Sequence, residues 1–289
     1  MVTALSAGCA SLGKKKIVPE SITACRKLSR DGVAAMEMNQ WQRALELLQQ
    51  AVETNPTDVD ARRHLSEVLW QKGDRQDAAV HMEAAVQLDP HHAPTVVRSG
   101  EMLLALGAEE RAMQRAEEAL LLDPNLAEAW ALRGRIYRQQ KQPARALADL
   151  QQALRYAPHA RDALLDIAEL QYSLGRSQHC LTTLHHLLDT YPPGDEPQRA
   201  LWLEGLAYAA VGRGQDAVES LYAANLRGKP QADLLHDLAQ AENAAGRPAV
   251  AADLARQALA VDASHQPSHV LMAQLQGSAA PDPAATIRR

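Results

Sequence analysis

Residues 127–160, AEAWALRGRIYRQQKQPARALADLQQALRYAPHA, decide how the rest of the chain is read, because they can be laid over their neighbours without a gap. Pro158 belongs to the row Pro56, Pro90, Pro124, Pro158, Pro192, in which each step is 34 residues. Small residues keep the same step. Gly32, Ser66, Gly100, Gly134 and Ala168 form one row, Ala44, Ala78, Ala112, Ala146 and Cys180 a second, and Ala51, Ala85, Ala119 and Ala153 a third. One period carried by independent rows is the mark of stacked repeats, and it is far more specific than any single motif.

Within one repeat, Trp130, Arg133, Gly134 and Tyr137 fall on one stripe of a first helix, and Ala146, Leu150, Ala153 and Leu154 on one stripe of a second. Gly134 and Ala146 have almost no side chain, so the two axes can approach closely while Trp130, Tyr137 and Leu150 fill the space around the contact. Pro158 ends the second helix, since it lacks an amide donor and disfavours helical geometry at Ala157. A pair of short helices cannot bury its apolar stripe alone, so each pair must stack on the next. The period, the small rows and the closing prolines resemble the tetratricopeptide repeat family. The resemblance implies an all-α, right-handed superhelical solenoid of antiparallel helix pairs, without catalytic activity, that binds partner proteins or peptides.

The expected frame opens with a helix from Ile22 to about Met38, capped by Ser21. Repeats follow at 25–58, 59–92, 93–126, 127–160 and 161–194; Asp195 to Pro197 lengthen the turn PPGDEP; two more repeats occupy 198–231 and 232–265. The seventh has Ala263 where the proline would stand. A capping helix is expected at 268–276 and a disordered tail at 277–289, so that residues 21–276 form one solenoid of about seven repeats.

The composition agrees with thin helix interfaces: 46% of the 289 residues are hydrophobic, yet Phe is absent and aromatics make 3%. The best apolar run, Leu201 to Val211, is broken by Glu204, and no transmembrane helix is expected. The first twelve residues carry no charge and contain Leu5-Ser6-Ala7-Gly8-Cys9, followed by Lys14, Lys15 and Lys16. Small residues before a cysteine resemble the cleavage box of bacterial lipoproteins, which implies a lipid anchor on Cys9 and a place in the bacterial cell envelope. Only eight residues precede Cys9, fewer than a basic start and an apolar core require, so an upstream start and a chance match both stay open. Residues 1–30 carry +5, which leaves −10 for the rest of a chain whose formal charge is −5. An acidic body without a basic stripe argues against nucleic acid as a partner.

Phosphate-cradling loops, nucleophile elbows and the common zinc frameworks are missing from the sequence, and no cofactor or metal is expected. The competing reading is a metal-binding enzyme or regulatory subunit that uses helix-borne histidines, since His179, His185 and His186 share one helix and His265 stands four residues from His269. Pro267 argues against a regular helix through the last pair, and all five are read as surface histidines. Cys25 and Cys180 lie too far apart for a disulfide, and Cys180 takes a small-residue place.

In the tetratricopeptide repeat family the first helices line the concave face, and the resemblance carries ligand contacts to defined places in each repeat. At the fifth place stand Arg63, Val97, Leu165 and Trp202, at the ninth Arg135, and at the twelfth Trp70, Leu104, Arg138 and Tyr172. These nine residues are the candidate partner-binding groove. The family's carboxylate clamp needs asparagine at the ninth place, where this chain has none. Trp130 and Trp41 fall at places that the family buries.

Overall fold

The structure is a computed structural model that describes residues 20–278, and the described chain is all-α. Its helices are α1 (Glu20–Glu37), α2 (Trp41–Thr54), α3 (Val59–Lys72), α4 (Arg75–Leu88), α5 (Ala93–Ala105), α6 (Glu109–Leu122), α7 (Ala127–Gln139), α8 (Pro143–Tyr156), α9 (Arg161–Ser173), α10 (Ser177–Leu188), α11 (Gln198–Ala210), α12 (Gly214–Leu226), α13 (Ala232–Ala244), α14 (Pro248–Val261) and α15 (Gln266–Ser278). Odd-numbered helices from α1 to α13 are the first helices of seven repeats. Turns of two or three residues join each to its even-numbered partner, short enough to force the two to pack side by side and antiparallel.

The described chain divides after Pro124 into two compact units, the first holding α1–α6 and the second α7–α15. Within the second unit, α7, α9, α11, α13 and α15 each touch the next, whereas the second helices of successive repeats do not approach one another as closely. In the first unit α1 touches α3 in the same way. A stack that is tighter along one row of helices curves toward that row, so within the second unit the first-helix side is the inner one.

The small rows set the helix spacing. Ala44, Ala78, Ala112, Ala146, Cys180, Ala217 and Ala251 are all fully buried, as are Ala51, Ala85, Ala119, Ala153, Ala224 and Ala258. A Cβ added to Gly134 would stand 2.9 Å from Leu150 Cγ, and one added to Gly205 would stand 2.5 Å from Leu221 Cγ. Ser66, in the same row, spends its hydroxyl on the Ala78 carbonyl at 2.7 Å, which satisfies a buried donor where glycine has none. Leucine fills the remaining space, with Leu48, Leu132, Leu150, Leu184 and Leu221 among the fully buried side chains. Trp130 and Tyr137 pack against the α7–α9 core but stay half-buried, and Trp41 is half-buried at the start of α2.

A further row emerges in the turns between first and second helices. Gly73, Gly107, Gly175, Gly212 and Gly246 have φ from 71° to 96°, and Asn39 and Lys141 hold the same left-handed conformation at 57° and 58° in the first and fourth repeats. At repeat ends Ala157 leaves helical geometry before Pro158, at φ −132° and ψ 82°. Asp262 does likewise at φ −136° without a following proline; its carboxylate accepts from Ser264 N at 2.8 Å and Ser264 Oγ at 2.7 Å and closes the turn instead.

Three expectations change. Helix α1 already includes Ser21, which is its second residue and not its cap. The capping helix begins at Gln266, two residues before the expected start, and reaches Ser278. Pro267 lies in its first turn, where proline needs no helical acceptor, so it starts the helix instead of breaking it. The inserted turn is well held, because Glu196 accepts from Gly194 N at 3.0 Å and pairs with Arg227 at 2.8 Å. The Arg227 guanidinium, followed by the Gly194 amide, pulls the Glu196 carboxyl down to about 2. Cys9 and residues 279–289 lie outside the described residues. Among the described residues no helix is long and apolar enough to cross a membrane.

Candidate functional site: the first-helix face

In the first unit Trp70, on α3, packs half-buried against the core of the first two repeats. The Arg75 guanidinium lies 5.5 Å and that of Arg98 5.8 Å from the ring centroid. Arg98, on α5, donates to both oxygens of Glu67 at 2.7 and 2.8 Å and to Glu101 at 3.0 Å, and the hydrogen bonds to Glu67 raise its pKa further. Arg63 pairs with Asp60 one turn away at 3.2 Å. Val97 and Leu104, expected on the groove floor, are only 3% and 8% exposed. They are packing residues and offer a partner no surface: on a helix that touches neighbours on several sides, the expected inward places are themselves covered.

The second unit carries a connected polar ladder across α7, α9 and α11. Arg135 Nε donates to Asp166 Oδ2 at 2.5 Å. Arg138 Nη1 reaches Asp166 Oδ1 at 3.2 Å and Glu169 Oε2 at 2.8 Å. Arg199 Nε takes the other oxygen of Glu169 at 2.5 Å. Beside this ladder Tyr172, Trp202, Leu203 and Leu206, with Glu169 and Arg199 at the rim, line a pocket of about 360 Å³. The Trp202 indole N–H donates to Asp237 Oδ2 on α13 at 2.8 Å, which fixes the ring. Burial raises the pKa of the Asp237 carboxyl and the Trp202 hydrogen bond partly opposes the rise. Burial likewise raises the Tyr172 phenol. Leu165 is half-buried and packs against the adjoining core.

The structure therefore brings Arg135, Arg138, Tyr172 and Trp202 onto one face of the second unit, and Arg63 and Trp70 onto α3 of the first. Reading the sequence missed Arg98, Asp166, Arg199 and Asp237, and it placed Glu169 at the ninth inward place without its arginine partners. A signal for most of them exists: Arg98–Glu67, Arg135–Asp166 and Arg138–Glu169 are opposite charges 31 residues apart. In a 34-residue repeat that spacing joins neighbouring first helices offset by one helical turn.

The histidines fall elsewhere. His236 and His265 are buried, 8% and 9% exposed, with ring centroids 5.5 Å apart, which corrects the surface reading of His265. His265 spends Nε2 on Asp233 at 2.9 Å and Nδ1 on Ser268 at 2.8 Å, bonds that seat α15 on α13. His185 meets Tyr208 at 2.9 Å and Glu204 at 3.3 Å. Among the described residues no group of three or more His, Cys, Asp or Glu is placed to hold a metal ion.

Comparison with known proteins matches this geometry. Cellulose synthase operon protein C of Escherichia coli (strain K12) is 43% identical over 60 residues, which are 21% of this chain and 5% of that protein. The match thus spans a small part of the relative's length. A tetratricopeptide repeat protein from Parabacteroides merdae ATCC 43184 superposes with a TM-score of 0.63 over 88% of this chain and 99% of its own, at 18% identity. The APC/C hetero-tetramer Cut9–Hcn1 gives a TM-score of 0.72 over 91% of this chain and 50% of that one, at 14% identity. At such identities the likeness is one of fold. Family models described as Tetratricopeptide repeat match residues 31–93, 69–136 and 137–201, more than half of the chain. Their span takes in the small rows of the first five repeats, the left-handed turns from Asn39 to Gly175 and the ladder from Arg135 to Arg199, and by that match the chain belongs to the tetratricopeptide repeat family.

Proposed function

We propose that the protein is a non-enzymatic interaction scaffold that holds a segment of a partner protein against its first-helix face. Proteins of this family generally mediate protein–protein interactions, and Cut9, a neighbour in fold, stands in a hetero-tetramer. The observation that carries the reading is the open pocket between α9 and α11, whose aromatic walls belong to the surface and whose rim is charged. Aromatic and arginine side chains are those most often found as energetic anchors in interfaces. Asp166 and Glu169, the carboxylates of the neighbouring ladder, are already engaged by arginine, an arrangement suited to binding.

A photo-crosslinking residue placed at Leu165, on the first-helix face, tests the reading in native extract. A discrete protein should be captured from that site and not from the same residue at Gln151, exposed on α8. Equal capture from both sites rejects the groove. The scaffold is further proposed to be tethered to a bacterial envelope through Cys9. Mass spectrometry of the native protein should find acylation there, and an unmodified Cys9 rejects the tether.

A further inference from the structure

The pocket between α9 and α11 carries a chemistry of its own. Its indole donor is already taken by Asp237, so Trp202 presents ring carbon to the cavity, with Tyr172, Leu203 and Leu206 beside it. About 360 Å³ is at the small end of ligand cavities, room for one large side chain. Ring walls favour a ring, because aromatic pairs gain beyond the area they bury.

The rim decides the charge of what flanks that ring. Both oxygens of Glu169 are occupied, one by Arg138 and one by Arg199, and Asp166 is occupied by Arg135 and Arg138. Arg199 is the loose member: its side chain is 71% exposed and binds through Nε alone, leaving both terminal amino groups without a partner among the described residues. A guanidinium edge free on the rim of an apolar slot is a ready site for a carboxylate, which it can take with two parallel hydrogen bonds. A lysine or arginine arriving there would stand against that guanidinium instead of pairing with it.

From this charge complementarity we infer that the pocket takes an aromatic side chain of a partner segment with an Asp or Glu beside it in sequence, the ring between Tyr172 and Trp202 and the carboxylate on Arg199. The inference rests on the first-helix face being the binding face.

Three fluorescein-labelled twelve-residue probes in a Gly/Ser background test it by anisotropy on the full chain, with Asp-Phe-Asp, Lys-Phe-Lys or Asp-Ser-Asp at the centre. Asp-Phe-Asp should bind at least tenfold more tightly than either of the others, and Arg199→Glu should weaken it at least tenfold. Arg199 is exposed, so that variant should keep the wild-type helicity and melting temperature. Trp202→Ala should also abolish binding; if it unfolds, Arg199→Glu alone decides. Raising the salt from 0.1 to 0.5 M should weaken Asp-Phe-Asp and leave Asp-Ser-Asp at background. Preference for Lys-Phe-Lys, indifference to Arg199→Glu, or no binding of any probe at millimolar concentration overturns the assignment. The crosslink from Leu165 separates the two levels. A partner still captured there by Arg199→Glu protein keeps the binding face and rejects this pocket chemistry, whereas no capture by wild type rejects the face itself.

Discussion

At the scale of single residues, backbone conformation makes the sharpest claims. Lys141 holds the left-handed conformation that glycine supplies in five of the repeats, with φ at 58°. That geometry costs a residue with a Cβ about 1–2 kcal/mol, and glycine returns part of the relief as unfolded-state entropy. Lys141→Gly should therefore stabilise the protein by about 0.5–1 kcal/mol in urea unfolding, and Asn39→Gly by less, since asparagine tolerates the conformation. No gain from Lys141→Gly would mean the turn is not held as described. Gly205→Ala should do the opposite. Helix propensity favours alanine by about 1 kcal/mol, but its Cβ would meet Leu221 Cγ at 2.5 Å and the Ala217 carbonyl oxygen at 3.1 Å, and backbone does not yield. The net expectation is a loss of about 1–2 kcal/mol. Burial also pushes the Cys25 thiol up to about 11 and that of Cys180 to about 12. In Cys9→Ser protein, alkylation by iodoacetamide at pH 8 should be slow until urea unfolds the chain; rapid labelling would place these thiols at the surface.

Pairs of elements are held by polar contacts as well as by the alanine rows. Between α7 and α8, Arg133 Nε reaches Asp149 Oδ2 at 2.7 Å, with the Asp149 side chain 10% exposed, and the same guanidinium lies 4.8 Å from the Trp130 ring centroid. Between α11 and α12 the equivalent places hold Glu204 and Ser220, joined at 2.8 Å. Asp149→Ala should cost about 2–4 kcal/mol by leaving a largely buried guanidinium without its carboxylate. Replacing both partners, Arg133→Met with Asp149→Leu, should recover most of that loss, because the cost lies in the charge that loses this carboxylate. Equal stability of the single and double variants in urea would show that the pair contributes packing alone. The last element is seated differently. Leu271 and Leu275 bury one side of α15 against the core of the last repeats, and His265 and Ser268 fasten its start. Signals for this were legible in the apolar spacing, but not in Pro267, whose meaning depends on whether it falls inside a helix or at its first turn.

For the whole molecule, acidity is the common lever. Burial, first of all causes, lowers the pKa of His64, His81 and His236, and His64 Nδ1 and His81 Nδ1 are buried without a hydrogen-bond partner among the described residues. A histidine whose folded pKa lies below its unfolded value of about 6.5 binds fewer protons when folded, so stability falls as pH drops below about 6.5. Glu83 adds to the loss at lower pH. Burial raises its pKa, but hydrogen bonds from Arg115 and Ser99 and the charge of Arg111 outweigh that, and the contribution disappears as pH falls below about 4.5. Asp237, shifted upward, opposes it in that lower range. Between pH 7.5 and 5.5 the histidines therefore dominate. Urea midpoints should fall over that interval, and fall less in the triple variant His64→Gln, His81→Gln, His236→Gln; an unchanged fall would locate the effect elsewhere.

What the sequence determined by itself was the repeat, since a 34-residue period is local information: glycine and alanine at fixed places dictate close helix contacts, and proline dictates where the first five pairs end. Every fully buried alanine row could be read this way, as could the placing of Arg135, Arg138, Tyr172 and Trp202 on first helices. Tertiary structure alone decided which of those places stay open. Val97 and Leu104 share their repeat positions with Trp202 and Tyr172, yet they are covered while the latter pair walls a pocket. Position in a repeat fixes the direction of a side chain from its own helix. Exposure depends on the neighbours that close over it, and Arg199 and Glu169 become a rim only because α9 and α11 meet there.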